Sequence, residues 1–142
     1  MKLIRSMITI GVLLTTATLF AQTESKWLMK VHIPFNFTTV DQPMPAGIYN
    51  IYTVGSQRIV RITNVDGKHS AVVNTKLNYS KSAARSAHLM FSQYGSEYFL
   101  GQVWVGGEDL SRDLSPGKRA SELADSGAVP RTTTVIALGN SQ

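Results

Sequence analysis

The chain has 142 residues, of which 43% are hydrophobic, and fourteen Lys and Arg against nine Asp and Glu give it a net charge of +5. A chain of this length is typical of a single domain. It contains no cysteine, which excludes a disulfide framework, a lipid anchor on a cysteine and covalent haem attachment.

The amino-terminal segment (residues 1–21) is predicted to be a cleavable signal peptide. Its charges are Lys2 and Arg5, and an uncharged, largely apolar run follows them. This run is shorter than the roughly 20 consecutive apolar residues that a membrane span needs. We expect cleavage after Ala21, which leaves residues 22–142 as one exported domain, periplasmic or extracellular, with no stable transmembrane span. An uncleaved amino-terminal anchor is the alternative.

Beyond this leader, apolar and polar residues alternate with a period of two. The segment from Met29 to Phe37 places apolar residues at strict i, i+2 spacing, which predicts a half-buried strand. Pro34 cannot donate a hydrogen bond to a ladder, so it favours an edge strand. After a proline-rich turn over residues 41–47, the β-branched and aromatic residues of segment 48–54 predict a second strand.

Two glycine turns predict two hairpins. Asp66-Gly67 is a strong hairpin signal because a type I′ turn needs positive φ at both central residues. Gly95-Ser96 marks the second turn, and Gly101 in the strand after it indicates a β-bulge or the close approach of another backbone. The predicted strands are residues 59–65 and 69–77 in the first hairpin and residues 87–94 and 97–105 in the second.

A single short helix is predicted near the carboxyl end. Ser115 is its expected N-cap with Pro116 at the first helical position, and Ser126-Gly127 ends it. Residues 132–138 predict a last strand. These elements indicate an all-β, mainly antiparallel domain: a small β-sandwich or β-barrel of about seven strands with one short helix in the carboxyl-terminal half.

The sequence predicts no catalytic residue, no metal site and no cofactor. His32, His69 and His88 show no metal-ligand spacing, and no Gly-x-Ser-x-Gly motif is present. Glu97 and Asp109 could face each other across a cleft, as the carboxylates of a glycosidase do. A small hydrolase of extracellular or periplasmic polymers is therefore an alternative function.

The charged residues predict an ordinary solvated surface. The acidic segment 108–113 lacks the spacing of a calcium loop, and we expect a solvated loop with a local ion pair of Arg112. The basic residues are scattered along the sequence, and no run of them is interleaved with aromatic residues. We therefore expect no nucleic-acid partner.

Aromatic residues supply the one predicted binding site. Tyr98 and Trp104 fall on the strand phase opposite to Phe99 and Val103, so we expect both rings on one partly exposed face. Exposed aromatic rings can stack on a sugar or an apolar ligand, which indicates a glycan or an envelope polymer as the partner. The alternative is that the aromatic residues pack in the core or in cross-strand pairs.

Several short segments occur in an order that resembles a known pattern. They are Val31–Phe37 (VHIPFNF), Pro45–Tyr49 (PAGIY), Tyr94–Leu100 (YGSEYFL), Val103-Trp104, Lys118-Arg119 and Glu122-Leu123. The order resembles the pattern IPFxF…PAGxY…YGxxYFL…VW…RxxEL of small exported proteins of unknown function that are abundant in acidobacterial genomes. This resemblance implies export and a β-rich domain, and it implies no activity.

The same motifs predict a scaffold. Members of the family often carry a carboxylate at the position of Asn36, so we expect no role for the Asn36 side chain. Arg119 is expected to pair with Glu122 or to clamp a loop, and Leu123 to dock the helix. We conclude that the chain is an exported, non-enzymatic β domain that binds a ligand or belongs to the cell envelope. A third hypothesis is an assembly protein that uses the edge strand Met29 to Phe37.

Overall fold

The computed structural model describes residues 24–139, so the predicted signal peptide and its cleavage point lie outside the described residues. The described residues form ten strands and one helix. They are β1 (Ser25–Ile33), β2 (Phe37–Thr39), β3 (Gln42–Met44), β4 (Gly47–Val54), β5 (Ser56–Asn64), β6 (Ser70–Tyr79), β7 (His88–Tyr94), β8 (Glu97–Trp104), β9 (Leu110–Leu114), α1 (Lys118–Asp125) and β10 (Arg131–Ile136). No helix within residues 24–139 is long and apolar enough to cross a membrane.

All ten strands belong to one open sheet. Its order is β1-β4-β5-β6-β9-β8-β2-β3, while β7 pairs with β8 and β10 pairs with β7. The pairs are antiparallel except for a parallel contact between Thr38 of β2 and Phe99 of β8. Strand β6 joins the two halves, because residues 70–74 pair with β5 and residues 75–79 pair with β9.

The sheet curls around one apolar core. Its end strands approach each other, and the Leu138 amide after β10 donates a hydrogen bond to the Lys30 carbonyl of β1 at 2.8 Å. The core contains side chains from both halves that are completely shielded from solvent, among them Val31, Ile33, Tyr49, Ile51, Val60, Ile62, Leu89 and Val103. The core is large enough to hold the chain together without disulfide bonds.

The all-β class with a single helix is confirmed, and the predicted number of strands is too low. The long strand expected from Met29 to Phe37 ends at Ile33, where Pro34 interrupts the ladder, and Phe37 begins β2. Strands β2, β3 and β9 are the additional elements. Both hairpins form around the predicted turns, since Gly67 and Gly95 adopt the positive φ that these turns require.

A β-bulge at Gly101 changes the phase of β8. Met90 of β7 pairs with Gln102 and Phe91 pairs with Leu100, so Gly101 has no partner, as predicted. The extra residue turns the side chains after the bulge to the opposite face. Leu100 and Val103 therefore both point into the core, and the expectation that Phe99 and Val103 share a face is wrong.

The turn between β2 and β3 holds the start of α1. Gly117 is the N-cap, not Ser115, and the Asp41 carboxylate accepts a hydrogen bond from the Lys118 amide at 2.7 Å. A Cβ atom on Gly117 would overlap the carbonyl oxygen of Val40. Val40 has a φ of 55°, a strained conformation for a β-branched residue. The helix and this turn are thus in direct backbone contact.

The proline-rich turn before β4 is fixed by side-chain hydrogen bonds. The Tyr49 hydroxyl donates to the Pro45 carbonyl at 2.6 Å, and the Ala46 amide donates to Asn36 Oδ1 at 2.9 Å. Burial raises the pKa of the Tyr49 hydroxyl above its usual value. Asn36 therefore has a structural role, and the expectation that its side chain has none is wrong.

Candidate functional site

Two adjacent depressions lie on the outer face of β7 and β8. Side chains alternate along β7, so Leu89 and Phe91 enter the core while Met90 and Ser92 face outward. One depression of about 450 Å³ lies between α1 and β8, and a second of about 250 Å³ lies over the bulge. Both are lined by Ser92 and Gly101, so they are adjacent, and we call the two depressions together the outer groove.

Small side chains open the helical end of the outer groove. The helix lines it with Ala120, Ser121 and Ala124, and Gly101 on the sheet side has no side chain to fill it. Tyr94 and Phe99 meet edge to face, with ring centroids 6.0 Å apart, and form an aromatic wall. Among the described residues that line the groove, Asp125 is the one charged side chain.

The helix rests on the sheet through a small residue. Ala120 is its buried side chain, whereas Leu123, the predicted docking residue, is half-buried. A leucine at the contact would hold the helix further from β8, whereas the short alanine side chain keeps the gap narrow and deep. The outer groove follows from this packing.

Trp104 lies beside the other end of the outer groove in a fixed orientation. Its ring stacks on His88, with centroids 5.8 Å apart and planes 11° apart, and the two residues are cross-strand partners. The indole Nε1 donates to Gln102 Oε1 at 3.0 Å, and Gln102 also lines the groove. On its other side Trp104 pairs with Ser111, which is fully buried. The half-buried indole is therefore held in one orientation.

Tyr98 lies elsewhere. Its ring stacks on Phe35, with centroids 3.8 Å apart, and Phe35 in turn meets the core residue Phe91 edge to face. Tyr98 lines a separate cleft of about 420 Å³ together with His69 and Glu97. The bulge at Gly101 lies between Tyr98 and Trp104 and reverses the phase, so the structure does not bring the two predicted site residues onto one face.

Glu97 is engaged by a two-point ion pair. Arg119 Nε donates to Glu97 Oε1 at 3.1 Å, and Arg119 Nη2 donates to Oε2 at 2.9 Å. The hydrogen bond from Arg119 lowers the pKa of the Glu97 carboxyl. Of the two predicted roles for Arg119, the clamp on a loop is the one that forms, because Glu97 follows the β7–β8 turn. A carboxylate held ionised in this way is poorly suited to act as a general acid.

The arrangement of the remaining polar groups gives no support to a hydrolase. Glu97 begins β8 and Asp109 follows its far end, which separates them by more than about 20 Å at roughly 3.3 Å per strand residue. Paired carboxylates of glycosidases lie about 5–9 Å apart. Within residues 24–139 no group of three or more His, Asp or Glu side chains could hold a metal ion.

Arg112 is a buried residue that the sequence analysis placed in a solvated loop. It belongs to β9 and is 2% exposed. Its Nε donates to the Gln57 carbonyl at 2.9 Å, and its Nη1 pairs with Glu108 at 3.2 Å. The predicted local ion pair with Glu108 is confirmed, and the separate hydrogen bond to Gln57 links β9 to the start of β5. Leu-Ser-Arg-Asp-Leu has no alternating apolar pattern that could have predicted this strand.

No protein-family model matches the chain, and no curated protein or solved structure is significantly similar to it.

Proposed function

We propose that this chain is an exported, non-catalytic binding domain that holds a neutral glycan in the outer groove. The observation that carries the proposal is the adjacency of two depressions, which share Ser92 and Gly101 and extend from the small-residue face of α1 to Gln102, the side chain that Trp104 hydrogen-bonds. An open, elongated depression suits a polymer better than a small metabolite, which needs an enclosed pocket.

The chemistry of the lining favours a sugar. Trp104 presents a half-buried indole, and an aromatic face packs well against the C–H face of a pyranose ring. Ser92, Gln102 and Thr132 line the shallow end and offer hydroxyl and amide groups for sugar hydroxyls. No basic side chain lines the groove among the described residues, so a neutral ligand is favoured over an anionic one.

The test compares Trp104 with an exposed aromatic residue outside the groove, Tyr79. Purified domain is titrated with a panel of neutral glycans and envelope polymers, and binding is followed by calorimetry. We expect saturable binding that Trp104→Ala weakens by about tenfold or more, a loss of about 1.4 kcal/mol. Trp104→Phe should restore part of it. Tyr79→Ala is the matched control, since Tyr79 is an exposed aromatic residue of β6 that lies outside the groove.

Two results would overturn this proposal. If no member of the panel bound, the proposed ligand class would be wrong. If the Trp104→Ala and parent proteins bound with equal affinity, the outer groove would not be the binding site. Unfolding curves of each variant separate a loss of binding from a loss of structure.

Export is part of the proposal and rests on the sequence of residues 1–21. The resemblance to exported acidobacterial proteins is a hypothesis that supports it. Expression of the full chain in a Gram-negative host, followed by amino-terminal sequencing of the periplasmic and secreted fractions, tests it. We expect a mature product that begins at Gln22, and a full-length product retained in the cytoplasm would contradict export.

A further inference from the structure

The first half of the sheet contains basic residues and no acidic ones. Strands β1, β4, β5 and β6 include no Asp or Glu. They contain five basic residues, Lys26, Lys30, Arg58, Arg61 and Lys76, of which Lys76 lies in the part of β6 that pairs with β9, opposite Asp113. The basic residues look scattered in the sequence, but the sheet brings them into one half. The nine carboxylates of the chain lie in other segments.

Four outward side chains form a line across this half. Trp27 of β1 pairs with Tyr52 of β4, Tyr52 with Arg61 of β5, and Arg61 with Val72 of β6. We call these four residues the cationic row. Neighbouring strands are about 4.8 Å apart, so the row is roughly 14 Å long. Its ends are open to solvent, with Trp27 42% and Val72 62% exposed.

Arg61 is the charge at the centre of the row. Its guanidinium carbon lies 5.0 Å from the centroid of the Tyr52 ring, a cation–π contact that orients the planar group. Within residues 24–139 no carboxylate oxygen lies within 4.0 Å of Arg61. An oriented guanidinium without an anionic partner suits bidentate binding of a carboxylate.

Polar side chains border the row on the same face. The next cross-strand line is Lys30, Asn50, Thr63 and Ser70, which adds a second positive charge to hydroxyl and amide groups. Trp27 Nε1 donates to Asn50 Oδ1 at 3.4 Å, and the Thr63 and Ser70 hydroxyls are 2.9 Å apart. These contacts connect the two lines into one surface that combines aromatic, cationic and hydroxyl groups.

We propose that the cationic row binds an acidic polysaccharide, a polymer that carries carboxylates on its sugar rings. Trp27 and Tyr52 pack against the sugar rings, Arg61 receives a carboxylate, and the neighbouring Asn and Thr groups bind hydroxyls. Because β1, β4, β5 and β6 contain no Asp or Glu, charge complementarity favours this partner. A single-stranded nucleic acid is less suited, because its affinity depends on several phosphate contacts and this face has few cations.

This site is independent of the outer groove, which lies on β7 and β8 and lacks basic side chains. The two surfaces belong to different halves of the sheet, which β6 connects. A protein with both sites would join a neutral polymer to an acidic one. Each site can be removed without changing the other, so failure of one proposal is distinguishable from failure of the other.

The test uses oligogalacturonate as the acidic probe and its methyl-esterified form as the neutral counterpart. We expect saturable binding of the acidic form that weakens as NaCl is raised from about 50 mM to about 300 mM, because salt screens exposed charges. Arg61→Gln should reduce affinity by about tenfold or more. Arg85→Gln is the matched control: it removes the same charge from an exposed residue of the segment between β6 and β7. Trp104→Ala should leave this binding unchanged.

Three outcomes would overturn the proposal. The first is no binding of oligogalacturonate at the lower salt concentration. The second is an equal loss in the Arg61→Gln and Arg85→Gln proteins, which would show attraction by net charge alone. The third is tighter, Arg61-dependent binding of single-stranded RNA or of vesicles with anionic phospholipids, which would identify a different partner.

Discussion

Substitution of Gly117 by alanine tests the contact between α1 and the β2–β3 turn. The added Cβ would overlap the Val40 carbonyl oxygen and lie 2.6 Å from Asp41 Oδ1. Helix and turn must then move apart, which breaks the hydrogen bond from the Lys118 amide to Asp41. Loss of a helix cap costs about 1 kcal/mol, and overpacking costs about 1–3 kcal/mol more. We therefore expect Gly117→Ala to lower the free energy of unfolding by about 2–4 kcal/mol.

Urea denaturation followed by circular dichroism measures this change. For a domain of this size, at about 3–5 °C per kcal/mol, it corresponds to a fall in Tm of roughly 6–20 °C. Gly139→Ala is the control, because a Cβ on Gly139 would have no heavy atom within 4 Å. If Gly117→Ala stayed within about 0.5 kcal/mol of the parent protein, the ordinary range for surface substitutions, the backbone contact would not exist as described.

Three further predictions concern buried or paired polar groups. Glu108→Ala leaves the Arg112 guanidinium buried without its carboxylate and should lower the free energy of unfolding by about 2–3 kcal/mol. Adding Arg112→Met should recover part of this loss. Urea denaturation of the parent protein, Glu108→Ala and the double variant checks this. Tyr49→Phe removes a hydroxyl hydrogen bond and should cost about 1 kcal/mol at neutral pH. Because the pKa of Tyr49 is raised on folding, its stabilising effect is present below pH 10.0 and lost at higher pH, so denaturation of Tyr49→Phe should show less alkaline destabilisation than the parent. The pKa of Glu97 is lowered from 4.5 on folding, so the contribution of its pair with Arg119 is present above that pH and is lost in acid. In measurements of Tm against pH, Glu97→Gln should therefore show a smaller fall on the acid side than the parent protein. An equal fall in both proteins would contradict the ion pair.

Local sequence signals predict the hairpins because turn chemistry is local. Gly67 and Gly95 adopt positive φ in the turns of the two hairpins, and the alternation of apolar and polar residues on either side identifies the strands. Strand β9 escapes prediction because its buried residues include Ser111 and Arg112, which an apolar pattern does not reveal. A buried arginine depends on partners that are distant in sequence, such as the carbonyl of Gln57.

The outer groove could not be predicted for a similar reason. Its helical end requires the docking of α1, which depends on the hydrogen bond between Asp41 and Lys118, residues 77 positions apart. Gly101 indicates a bulge, but the strict alternation used to place Tyr98 and Trp104 on one face does not include the change of phase that a bulge produces. The cationic row likewise depends on the register of four strands, which no single segment specifies.

The division of β6 between two partners has a consequence for folding kinetics. The β5–β6 and β7–β8 hairpins bring together residues that are close in sequence, and such hairpins form in about 1–10 μs. The pairing of Thr75 with Leu114 instead closes a long loop that contains β7 and β8, which raises the contact order of the fold. We therefore expect the first half of β6 to pair with β5 at an earlier stage of folding than the second half pairs with β9.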